Sequence, residues 1–203
     1  MVNCAKQYSD ILDGRVLLFI CLDKHKAITT FECSFMPGNF LHITGLKVQE
    51  TGNGNHTSTG AVDFYHKCLD HKLSPQDFEF AAGGITALKL NVLPGIINKS
   101  LKARMIGDYN SSHPSLYTDK LAGSIQACMG FVRERRTGVF VPNTVLKEDI
   151  QERTSGYARV IAVYRRKMTE ERYVEMTYAA KGLDWARVRL PKEIGYIELP
   201  YDH

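Results

Sequence analysis

The residues of this chain best suited to chemistry lie together in Val141-Pro142-Asn143-Thr144-Val145-Leu146-Lys147-Glu148-Asp149-Ile150. Leaving the end of a strand, the amide of Asn143, the hydroxyl of Thr144 and the ammonium of Lys147 can together hold an anion. Before them run Gly130-Phe131-Val132 and then Arg133-Glu134-Arg135-Arg136-Thr137-Gly138, a charged segment ending in Gly. Such a segment suits a hairpin loop between two apolar runs. Pro142 cannot donate to a ladder, so the second run is expected at a sheet edge or to stop there. The same residues admit a plainer role, with Asn143 or Thr144 as N-cap of a short helix over residues 145–150.

A second group stands in Phe40-Leu41-His42-Ile43-Thr44-Gly45-Leu46. Read as an extended segment, it puts Phe40, His42 and Thr44 on one face and Leu41 and Ile43 on the other. An imidazole then projects beside a hydroxyl, an arrangement fit for acid or base chemistry. It equally fits a half-buried histidine hydrogen-bonded to its neighbour.

Several common chemistries lack their spacing here. The chain has no GxxxxGK[ST], HExxH or GxSxG, and its Gly52-Asn53-Gly54 sits in a polar stretch with no strand before it. The acids form no two-metal cluster. Cys4, Cys21, Cys33, Cys68 and Cys128 are odd in number, widely spaced and without a CxxC pair, so they read as small buried apolar residues. What is left points to a reaction without metal or cofactor, run by a His, several Lys and Arg, and strand-borne Thr, Tyr and Asn.

Net charge is +4, concentrated in residues 99–203, which hold 18 Lys+Arg against 13 Asp+Glu while the remainder nets −1. An excess of this size permits a nucleic-acid partner without requiring one. No apolar run approaches the roughly 20 residues that span a bilayer, and residues 1–25 lack a signal-peptide pattern. An intracellular, cytoplasmic protein with no membrane partner is expected.

The elements that must position these groups follow from patterning. Residues 3–12 can open with a short helix, and residues 15–22 (RVLLFICL) and 27–35 (AITTFECSF) read as an antiparallel hairpin. Residues 49–59 (QETGNGNHTST) have nothing to bury and read as a mobile loop. Residues 61–73 place Ala61, Phe64, Tyr65, Cys68 and Leu69 on one helical stripe. Ser74-Pro75-Gln76-Asp77 supplies the start signals of another helix, and residues 85–93 read as helix ended near Pro94-Gly95. From residue 102 onward strands follow at 102–109, 121–132, 139–141, 158–166 and 172–179. The expected fold is therefore α+β: helices preceding an antiparallel β-sheet meander, with residues 160–164 central and an N-terminal β-hairpin extension. One domain over residues 1–203 is expected, made of the β extension (1–48), the helix and sheet core (59–180) and an irregular C-terminal tail (181–203) that carries Trp185 and covers the sheet.

These residues resemble the fourth phage-type family of the barnase, EndoU, colicin and RelE (BECR) group of RNases. The likeness runs from about residue 15 to 180, through FLHITG (40–45), DFYHKCL (63–69), IGDYN (106–110), TDKLAGS (118–124), Gly130-Phe131, VPNTVLKEDI (141–150) and Thr177-Tyr178. It implies a metal-independent endoribonuclease of the toxin or mobile-element conflict kind, acting on RNA, with an antitoxin or immunity protein as a candidate partner. In such a reaction a base takes the 2′-OH proton, the oxygen attacks the adjacent phosphorus, and an acid protonates the leaving 5′-oxygen. Carried onto this chain, His42 matches an acid or base, and Lys120, Asn143, Thr144 and Tyr178 match motif positions with suitable catalytic chemistry. Thr44 and Lys147 are expected to contact RNA. Arg153 and Arg165, outside the firm motif positions, are phosphate contacts only.

Two other readings stay open. A non-catalytic RNA- or nucleotide-binding protein would keep the basic face without acid and base near one phosphate. A mobile-element protein that inhibits a host factor would instead show an exposed apolar patch.

Overall fold

Arg15–Leu22 is apolar at nearly every position because both of its faces are covered. Leu17, Phe19 and Cys21 enter the main core, and Val16, Leu18 and Ile20 enter a second cluster with Ile161, Tyr164 and Tyr173. A strand alternates in hydropathy only when one face meets water, so an unbroken apolar run marks a stave buried on two sides.

The computed structural model describes residues 1–48, 58–110, 116–173, 175–185 and Val188. In chain order the elements are α1 (Val2–Ile11), β1 (Arg15–Leu22), β2 (Ile28–Phe35), α2 (Asn39–Thr44), β3 (Leu46–Val48), α3 (Ser58–Leu69), β4 (Phe78–Phe80), α4 (Ile85–Ile96), β5 (Met105–Tyr109), β6 (Lys120–Gly123), β7 (Cys128–Arg133), β8 (Phe140–Leu146), α5 (Ile150–Arg153), β9 (Thr154–Lys167) and β10 (Glu175–Ala179). The expected loop at residues 49–59 falls mostly outside the described residues. Among the described residues no helix is long and apolar enough to cross a membrane.

The sheet order β1-β2-β8-β7-β6-β5-β9, with β9 also paired to β1, closes into a seven-stranded mixed barrel, and β10 adds to β9 outside the ring. This corrects the expectation of helices followed by an open antiparallel meander. The N-terminal hairpin is no extension: its strands are two staves, β1 antiparallel to β9 over Arg15–Leu22 and β2 parallel to β8 through Cys33 and Phe140. Local patterning finds strands but not which distant strand each will pair with, and closure removes the unpaired edges that an open sheet would leave.

The β2–β8 junction is a single residue pair, and α2 and α4 both pack on β8. Tyr8, Phe40, Phe64 and Tyr65 join Phe31, Phe35 and Phe131 in one buried cluster that fastens the helices to the barrel. Outside, α5 covers Met105, Leu121 and Cys128 through Ile150. Leu183, Trp185 and Val188 pack on the second cluster, beside β1 and β9.

Four local readings change as well. FLHITG forms helix α2, not a strand: Asn39 Oδ1 accepts from Met36 N at 2.9 Å, and Gly45 ends the helix at φ 73°. A left-handed glycine just past the last turn is a common helix stop. Ser74–Asp77 starts no helix; Asp77 accepts from Ser74 N at 2.7 Å, and the alternating Phe78 and Phe80 pair with β3. The run expected at 121–132 is two strands, broken by a turn in which Ser124 N donates to Ala127 O. Asn143 and Thr144 lie inside β8, and the cap of the following helix is Asp149, which accepts from Gln151 N at 2.8 Å.

Candidate active site at the β2–β8 junction

Strand β8 carries a bulge where its chemistry is concentrated. Gly130 pairs with Thr144 and Phe131 with Pro142, so Asn143 is the extra residue with no partner of its own across the ladder. Bulges bend a strand and re-aim its side chains. Thr118 Oγ1 donates to Asn143 Oδ1 at 3.3 Å, and Asn143 Nδ2 donates to the Tyr117 carbonyl. Thr144 is buried beside Gly130, where an added Cβ would meet Thr144 Cγ2 at 2.6 Å and Thr118 Cγ2 at 2.9 Å. Glycine is the only residue that lets these two threonines close over the bulge.

Lys89 then reaches this point from α4. Its Nζ donates to Thr144 Oγ1 at 2.8 Å, and its stem crosses Gly45, where a side chain would meet Lys89 Cδ at 2.7 Å. Thr86, one turn earlier, donates to Gly45 O at 2.6 Å and accepts from Ala81 N at 3.0 Å, which locks α4 to the end of α2. Lys89 is the only charged residue of α4, and desolvation lowers its pKa. A lone ammonium kept in such surroundings, on a neutral hydroxyl, has the chemistry to bind an anion or donate a proton.

His42 is the one exposed residue of α2; the other five are buried. Its ring reaches solvent from a crowded spot, and desolvation first, then the nearby Lys89 charge, lowers its pKa. A neutral imidazole and an ammonium thus share one neighbourhood, contributed by α2, α4 and the bulge of β8.

The remaining sequence-derived residues lie elsewhere or are engaged. Thr44 is buried, donating to Leu41 O at 2.7 Å and accepting from Leu46 N at 3.1 Å. Lys120 pairs with Asp108 in a different cleft of about 350 Å3 at the barrel mouth, also lined by Cys21, Ser155 and Tyr157. Burial there pushes the Cys21 thiol up to about 12 against the pull of Lys120. Tyr178 lies under Arg104, whose guanidinium carbon is 4.2 Å from the ring centroid. Lys147 is exposed beyond β8. Arg153 pairs with Glu148, while Arg165 forks onto Glu175 at 2.8 and 2.9 Å and donates to Ile11 O at 3.0 Å.

The structure thus brings His42, Asn143 and Thr144 to one junction and leaves Lys120 and Tyr178 at others. Lys89 is the residue that patterning missed. Its signal was a single lysine in an otherwise uncharged, apolar helix (ITALKLNVLPGI). No curated protein and no solved structure matches the chain. The sequence profile of one nuclease family does match it over residues 1–182, through the helices and strands that build this junction, and the chain belongs to the phage-Barnase-EndoU-ColicinE5/D-RelE like nuclease4 family.

Proposed function

We propose that the chain is a metal-independent endoribonuclease whose reaction is run by His42 and Lys89, with Asn143 contacting the scissile phosphate and the buried Thr144 holding the Lys89 ammonium in place. The observation that carries this reading is the hydrogen bond of the desolvated Lys89 to Thr144, beside a histidine whose pKa is lowered by desolvation and then by the same lysine. A histidine neutral at pH 7 can accept the ribose 2′-OH proton. The 2′-oxygen then bonds to phosphorus as the P–O5′ bond breaks, and the Lys89 ammonium supplies the proton to the departing 5′-oxygen. Products are a 2′,3′-cyclic phosphate and a 5′-hydroxyl. Before transfer, the same ammonium and the Asn143 amide stabilise the charge that develops on the phosphoryl oxygens. The family's phage origin favours a role in conflict between mobile elements and hosts, with an antitoxin or immunity protein to restrain the activity.

The test is incubation of the purified protein with single-stranded RNA in EDTA, with product ends analysed for cyclic phosphate, beside His42→Ala and Lys89→Met. Cleavage by the wild type alone supports the assignment. An inert wild type, or equal cleavage by His42→Ala, sinks it.

A second reading draws on Phe80, Ile85 and Leu88, exposed by 68%, 50% and 54% next to this junction. An apolar surface of this kind suits a protein partner. If the chain acts by binding a host factor, biological activity survives in His42→Ala and fails in Phe80→Asp.

A further inference from the structure

Strand β9 changes partners partway along one edge, and the change leaves a notch. Its first half pairs with β5 as far as Met105 and Arg159, and its second half pairs with β10 as far as Ala179 and Ala162. The ladder is continued at the junction by Val160 N to Arg104 O at 2.8 Å and Ala180 N to Ile161 O at 2.8 Å. Two strands meeting end to end cannot fill the space between their termini with side chains of either ladder. The result is a pocket of about 260 Å3 lined by Arg104, Arg159, Val160, Tyr178, Ala180 and Lys181.

Three of those six residues are cations, and none is an acid. Arg104, Arg159 and Lys181 are all exposed, and among the described residues none of the three forms an ion pair. Among the described residues the Arg104 guanidinium donates only to the adjacent Ala103 carbonyl, at 3.1 Å, and it lies over the Tyr178 ring, which fixes the direction of its fork. On the same sheet Arg165, Lys167 and Lys120, by contrast, each meet a carboxylate. Uncompensated like charges around a concavity repel one another, and an anion that enters relieves the repulsion while accepting several charge-assisted hydrogen bonds.

We propose that this notch is a phosphoryl-binding site, distinct from the His42–Lys89 junction, in which Arg104, Arg159 and Lys181 grip phosphate oxygens. The half-buried Tyr178 ring orients Arg104 and offers a flat surface to whatever the phosphate carries. This assignment does not depend on the chain being a nuclease.

The probe is inorganic tripolyphosphate, followed by isothermal titration calorimetry with the wild type, Arg159→Gln/Lys181→Gln, Lys181→Gln alone and, as control, Arg135→Gln in the β7–β8 turn. Lys181 stands on an exposed turn, so its single variant reports on the site even where the double variant folds poorly. The expected result is binding by the wild type and the control, weakened roughly tenfold or more in the double variant and severalfold in Lys181→Gln. A single-stranded 2′-fluoro oligonucleotide, which lacks the attacking hydroxyl, then separates the sources. Parallel loss of its binding identifies the phosphate as that of a nucleic-acid strand, and retained binding identifies a free phosphoryl ligand; both support the site. Absence of tripolyphosphate binding, or equal binding by all four proteins, overturns it.

Discussion

Lys89 Nζ donates to Thr144 Oγ1 across 2.8 Å, joining a helix to a strand bulge 55 positions away in sequence. Lys89→Met keeps most of the stem over Gly45 and removes the charge and the donor. Cleavage is expected to fall roughly 10²- to 10³-fold, as when one preorganised donor to a developing oxyanion is lost. The stability cost should be about 1 kcal/mol, read from urea denaturation. A fall in cleavage that merely tracks unfolding would reduce Lys89 to a structural tie.

His42 supplies a pH test of the same pair. Desolvation and the Lys89 charge lower its pKa. Cleavage should therefore rise with pH below the ordinary histidine value of about 6.5 and level off by neutrality. In Lys89→Met the His42 titration, followed by NMR of the ring protons, should move upward because a repelling charge is gone. For stability the sign is fixed by linkage. The unfolded chain takes up this proton at higher pH than the folded one, so His42 lowers stability as pH falls from about 6.5 through its depressed folded value. A His42 titration unmoved by Lys89→Met would show that the two groups are not coupled.

Gly130→Ala places a methyl against Thr144 Cγ2 at 2.6 Å and Thr118 Cγ2 at 2.9 Å. Overpacking of this kind costs about 1–3 kcal/mol and should also push Thr144 off Lys89. Adding Thr144→Ser, which removes the clashing methyl and keeps the hydroxyl, should recover part of both stability and cleavage. Without such recovery the loss must come from strain elsewhere in the ladder.

Arg165 is only 11% exposed and ties β9 to Glu175 of β10 and to the carbonyl of Ile11 at the end of α1. Arg165→Ala should lower stability by about 1–3 kcal/mol and leave affinity for the 2′-fluoro oligonucleotide unchanged. Burial raises the Glu175 pKa, but hydrogen bonds from Lys99 and Arg165 outweigh it, so the net shift is downward. A carboxylate depressed on folding adds stability above its unfolded value of about 4.3, and that stability is lost as pH falls through the folded value. The difference between Arg165→Ala and wild type should shrink in that acid range. A drop in oligonucleotide affinity without loss of stability would make Arg165 an RNA contact after all.

Sequence by itself determined the pieces whose physics is local. The apolar runs of β1 and β9 announce staves covered on both faces, the α3 stripe appears at helical spacing, and Gly138 at φ 72° turns the β7–β8 hairpin where the charged loop ends. Asn143, Thr144 and His42 were legible as candidates for chemistry from residue type and family likeness. Tertiary structure decided the rest. A six-residue segment such as FLHITG satisfies strand and helix patterns alike, and only packing of Phe40 against Tyr8 and Tyr65 selects the helix that turns His42 to solvent. Barrel closure rests on β1 meeting β9 and β2 meeting β8, pairings between distant segments whose gain comes from side chains that no local window contains. Lys89 could be seen beforehand only as an odd charge in an apolar helix. It becomes a candidate catalytic group because closure carries α4 onto the bulge of β8, where desolvation and the Thr144 hydroxyl act on the same ammonium.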